Sequence, residues 1–169
     1  TYGSRNGTNS YWSTYQFKKN QFKTLTEYLK NNNFTTVADL HSDIVIPKQG
    51  FEKFLIHDEH NDDVRSRHLE LIENISSDSE KNFFLYLHYS YIHTKISDTV
   101  LKKYTNFSEE YFLNKDFNKK EYLVLFNKVE SYLSSILEKI KKLDLLKNSI
   151  ICILSDHGIS IGEKIGERA

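Results

Sequence analysis

Asn82-Phe83-Phe84-Leu85-Tyr86-Leu87-His88-Tyr89 is a nearly continuous apolar run. A strand wet on one face alternates polar and apolar residues, whereas a strand covered on both faces does not. The run therefore predicts a buried strand of a parallel sheet. Ser149-Ile150-Ile151-Cys152-Ile153-Leu154-Ser155 reads the same way and predicts a second buried strand. Between them, Lys120 to Lys142 places Tyr122, Leu125, Phe126, Val129, Leu133, Ile136, Leu137 and Ile140 at helical spacing, with Lys and Glu opposite. That is a long amphipathic helix, closed by Leu145-Leu146-Lys147-Asn148. Upstream, Phe22, Leu25 and Leu29 predict a helix over Gln21–Asn31, which Asn31-Asn32-Asn33 stops. Phe34 to Leu40 reads as a short strand, residues 41–60 as a long connection marked by Pro47 and Gly50, and Val64 to Ile75 as a helix. Residues 1–16 read as an exposed loop. Helices alternating with apolar strands predict an α/β layered fold with a mostly parallel sheet.

Composition excludes several classes. The chain has 169 residues, which suits one domain with a sizeable core rather than two. Lys+Arg and Asp+Glu both total 23, so no global basic field exists to hold nucleic acid or an anionic surface. The 11 Phe and 11 Tyr supply enough apolar surface to argue against a disordered chain. A single Cys excludes an internal disulfide framework and a cysteine-based zinc cluster. No run approaches the roughly 18 apolar residues of a bilayer span, and no membrane anchor is visible. With no initiator Met at Thr1 and no Met elsewhere, we expect a piece of a longer protein.

Two polar groups follow the two strong strands, where open α/β sheets collect ligands. The first is Ser155-Asp156-His157-Gly158. A carboxylate and an imidazole on adjacent residues reach one cation if the backbone turns sharply, which Gly158 permits. The alternative is that Asp156 caps the next helix and His157 lies on the surface. The second group is His88-Tyr89-Ser90-Tyr91-Ile92-His93-Thr94, where a histidine could hydrogen-bond an anionic ester or protonate a leaving group, or be a plain loop residue. His57 and His60 with the acids between them read as a solvated turn, with metal binding as the other reading. His41 and Asp43 show no recognisable spacing, and Cys152 reads as an inert core residue.

These segments, in this order, resemble the sulfatase branch of the alkaline-phosphatase superfamily. Lys23-Thr24-Leu25-Thr26-Glu27-Tyr28-Leu29-Lys30-Asn31-Asn32-Asn33-Phe34-Thr35-Thr36 is similar to a family helix and strand that typically reads TLAELLKENGYKT. Phe83 to Tyr89 with Ile92-His93-Thr94 is similar to FFLYLHY followed by PHTP. Val129-Glu130 through Asn148 resembles the long helix ending GL.DNT, and Ser155-Asp156-His157-Gly158 with Gly162-Glu163 resembles the SDHG…GE metal loop. Ile92 and Lys95 stand where the family has prolines around its histidine.

The resemblance implies a partial alkaline-phosphatase-like domain of three α/β/α layers, with residues 1–169 part of a single catalytic domain. It implies Asp156 and His157 as metal ligands and His93 as a contact to the sulfate or phosphate group or its leaving oxygen. His88 would be structural or would support a ligand. One divalent metal is implied, calcium first, with manganese, zinc or magnesium as alternatives. The nucleophile, a Cys converted to formylglycine or a Ser or Thr, would lie upstream of Thr1, as would the aspartates completing the metal site. A basic residue would lie beyond Ala169. The implied substrate is a small-molecule or glycan sulfate or phosphate ester, and the implied activity is sulfate-ester hydrolysis. The alternatives are a phosphoethanolamine or phosphoglycerol transferase, a phosphodiesterase, or a non-catalytic scaffold. A periplasmic, envelope or extracellular location follows from the resemblance alone.

Overall fold

The computed structural model describes residues 23–77, 81–100 and 108–162. The expected loop over residues 1–16 lies outside them. The chain divides into two compact units, Thr1–Tyr89 and Ser90–Ala169.

In the first unit, helix α1 spans Leu25–Asn31. It begins at Leu25 because Thr24 is extended and closes a capping box: its hydroxyl accepts from the Glu27 N–H, and the Glu27 carboxylate accepts from the Thr24 N–H at 2.8 Å. Strand β1 is Thr35–Leu40, β2 is Lys53–Ile56 and β3 is Phe83–Leu87; all three are parallel, in the order β2-β1-β3. Helix α2, Val64–Ser76, connects β2 to β3. β2 falls inside the stretch expected to be a long connection. Its four residues, Lys-Phe-Leu-Ile, are too few to show a period, and the pairing of Val37 with Lys53 through Leu40 with Ile56 creates it.

β1 is central, and Thr36 through Leu40 are all buried. Alternation puts Val37 and Asp39 on one face and Thr36, Ala38 and Leu40 on the other. The Thr36 hydroxyl donates to the Gly50 carbonyl at 2.8 Å. Gly50 has φ +88°, and a Cβ there would stand 2.5 Å from the Glu27 nitrogen, so only glycine lets this loop seat against α1. β3, expected to be buried on both faces, is half-buried along its length; among the described residues it has a neighbouring strand on one side only.

The second unit contains α3, Tyr91–Lys95, followed by a π-helical turn over Ile96–Val100, then α4, Glu109–Leu113, and α5, Lys115–Lys142. α5 starts five residues before the expected Lys120 and ends where expected. Ile96 and Tyr111 form its small core, with Ile92, Phe112, Tyr122, Leu125 and Ile159 packed around them. No helix among the described residues is long and apolar enough to cross a membrane.

The second predicted buried strand is corrected. Residues 149–155 form no strand, and Ile150, Ile153 and Leu154 are 95%, 59% and 89% exposed. A parallel strand needs a ladder partner, and none of the described residues pairs with this segment. Cys152, expected in a core, is therefore exposed. The helices and the all-parallel three-stranded sheet agree with the expected α/β fold.

Candidate functional sites

The Asp156–His157 loop is fixed from behind. In the second unit, the Tyr111 hydroxyl donates to the Ser160 carbonyl, and the buried Asn118 amide donates to the carbonyls of Tyr111 at 2.8 Å and Ile161 at 3.3 Å. Ahead of this anchor the chain turns outward and Asp156, His157 and Gly158 are exposed. The His157 N–H donates to Asp156 Oδ1 at 3.0 Å, and His157 Nδ1 lies 2.7 Å from the Gly158 carbonyl. A carbonyl only accepts, so Nδ1 carries the proton and Nε2 keeps its lone pair. That lone pair is 3.5 Å from Asp156 Oδ2. Two acceptors facing each other at this distance repel unless a cation or proton lies between them. The donor set fits a divalent cation held by one carboxylate and one imidazole. Asp156 does not cap a helix here, since the described residues after it are irregular. His93 is on α3 and exposed.

A second group, in the first unit, joins His57, which the sequence leaves between a solvated turn and metal binding, to Asp39 and His68, which the sequence does not single out. Asp39 is fully buried next to the carboxyl end of the central strand. Its Oδ1 accepts from His57 Nδ1 at 3.0 Å, its Oδ2 accepts from Arg67 Nε at 2.5 Å, and His68 Nε2 lies 3.8 Å from Oδ2. His57 and His68 are 2% and 0% exposed, with rings edge to face at 5.7 Å. His57 is thus not part of a solvated turn: its N–H bonds the Leu40 carbonyl at 2.8 Å, which draws the ring inward beneath the end of β1. His60, by contrast, is exposed. The signal available for this group was a lone Asp in the run Thr-Val-Ala-Asp-Leu and a stripe of Val64, His68 and Ile72 at i, i+4 and i+8, which are the buried positions of α2.

At the carboxyl ends of β1 and β3, His41 and His88 stack at 4.7 Å with their Nδ1 atoms 2.9 Å apart. His88 therefore has a histidine partner, and one ring donates while the other accepts.

Burial pulls the His68 imidazole from 6.5 down to about 4, against the Asp39 carboxylate, which acts in the opposite direction. A histidine whose folded pKa lies below its unfolded value binds its proton first in the unfolded state. Its contribution to stability is complete above pH 6.5 and is lost as pH falls toward 4. The gap corresponds to about 3 kcal/mol. Urea midpoints of the metal-free protein are expected to fall through this window and to flatten in His68→Gln. Asp58 and Asp63 are held below the usual carboxylate value by hydrogen bonds, first from the side chains of Asn61 and Ser66, so their loss comes at lower pH.

The model of the Sulfatase family matches residues 2–169 of the chain. No curated protein and no solved structure matches it.

Proposed function

The chain belongs to the sulfatase family, and from that premise we propose that it contributes to a metal-dependent hydrolase of sulfate esters, with Asp156 and His157 as metal ligands and His93 directed at the ester. The observation that carries this reading is the pair of facing acceptors, Asp156 Oδ2 and His157 Nε2, 3.5 Å apart on an exposed loop. When bound, a divalent cation supplies Lewis-acid activation and offsets charge on the nonbridging oxygens. The chain's own part is positional. Gly158 accepts the Nδ1 proton of His157 and so keeps Nε2 a ligand, while Tyr111 and Asn118 hold the loop from behind. An imidazole at His93 can hydrogen-bond the charge that develops on the leaving oxygen.

The nucleophile belongs, on the family pattern, to residues preceding Thr1, so the test uses the full-length protein. It should hydrolyse an aryl sulfate, lose that activity to a chelator and regain it with calcium. Peptide mapping of the same sample should show a Cys converted to formylglycine. Preferential cleavage of an aryl phosphodiester, with an unmodified Thr or Ser as nucleophile, would replace the sulfatase reading with phosphoryl transfer.

A further inference from the structure

We propose that Asp39, His57 and His68 bind a divalent transition-metal ion of the zinc class, at a site that shares no residue with the Asp156–His157 loop. Each of the three residues offers one donor atom, and the three atoms lie within 4.8 Å of one another. A cation about 2.0–2.2 Å from an imidazole nitrogen or a carboxylate oxygen holds its ligands roughly 3–4 Å apart. His57 Nδ1 stands 3.0 Å from Asp39 Oδ1 and His68 Nε2 stands 3.8 Å from Oδ2, separations of that size, one to each carboxylate oxygen. Two imidazoles with one carboxylate favour zinc over calcium or magnesium, which prefer oxygen alone.

The hydrogen-bonded arrangement does not by itself satisfy the group. The Asp39 carboxylate accepts the Nδ1 proton of His57, and the Nε2 lone pair of that ring, fully enclosed, meets no hydrogen-bond partner among the described residues. A cation at Nδ1, the atom that faces Asp39, would take the place of the proton there, and the enclosed Nε2 would carry the ring's remaining proton. The three residues come from β1, the residue following β2, and α2, so one ion would tie together strand, loop and helix. Arg67 orients the Asp39 carboxylate through Oδ2 and leaves Oδ1 turned toward His57. Its side chain is 34% exposed, whereas the Asp39 side chain is 0% exposed.

The test uses full-length protein stripped of metal and carrying Asp156→Asn and His157→Gln, so that this proposal and the loop reading fail separately. Titration with zinc alone should show binding at micromolar concentration or tighter. Adding His57→Gln and His68→Gln should weaken it at least tenfold. Cobalt in place of zinc should give visible absorption and X-ray absorption scattering from two imidazoles while both histidines are present. Should the histidine variants fail to fold, the two-imidazole cobalt signature in the loop variant decides alone. No zinc binding by the loop variant, unchanged zinc binding in folded His57→Gln/His68→Gln protein, or a cobalt spectrum without imidazole would overturn the proposal.

Discussion

Asp39→Ala is expected to cost about 3–5 kcal/mol of folding stability, the range for removing one partner of a buried ion pair. Against a total of about 5–15 kcal/mol, that brings the first unit close to unfolding. The cost has identifiable parts. His57 loses the acceptor of its Nδ1 proton while remaining enclosed, and His68 loses the carboxylate that lies 3.8 Å from its ring. A void opens beside the central strand, where the chain is closely packed. Arg67, a third exposed, swings to water and recovers part of its solvation, so the loss falls mainly on the imidazoles. Asp39→Asn keeps the volume and one acceptor and should cost less than half as much. Urea unfolding followed by circular dichroism compares the three proteins. A midpoint in Asp39→Ala within about 1 kcal/mol of the parent would remove this cluster from any account of how the unit is held together.

The contrast between the two polar groups explains how much of the molecule can be read from its sequence. Asp156 and His157 are adjacent, so a carboxylate–imidazole pair is visible in the string itself, and a bend of the chain at Asp156 accompanies their face-to-face arrangement. Asp39 meets its partners across 18 and 28 residues, and no spacing rule connects a strand position to a loop and a helix until β2 has been paired and α2 packed. The elements follow the same logic. α5 has a long 3.6-residue period and a basic last turn, and it was legible to five residues at its start and to the residue at its end. β1 and β3 were legible from apolar content. β2 was not, because register with β1 rather than its own pattern makes it a strand. The run Ile150–Leu154 marks the reverse failure: apolar content predicts burial, yet burial requires a neighbour, and the described residues supply none.

His157→Ala is expected to abolish turnover in the full-length protein while leaving its stability unchanged. The side chain is 67% exposed, and its contacts among the described residues are the Gly158 carbonyl and Asp156 Oδ2, so its loss should move stability by no more than about 0.5 kcal/mol. Activity is a different matter. Removing an imidazole ligand deprives the cation of a donor that nothing else in the loop replaces, and a loss of about 4 kcal/mol of transition-state stabilisation would lower kcat/KM by about a thousandfold. Asp156→Asn should follow the same pattern, because an amide oxygen keeps the shape but not the charge. The pairing of readouts separates this loop from Asp39, where folding and activity should fall together. Turnover of an aryl sulfate and thermal unfolding, measured on the same preparation with calcium present, give both numbers. Full turnover in His157→Ala would mean that the facing acceptors at 3.5 Å hold no catalytic cation, and the assignment of Asp156 and His157 as its ligands would fall with it.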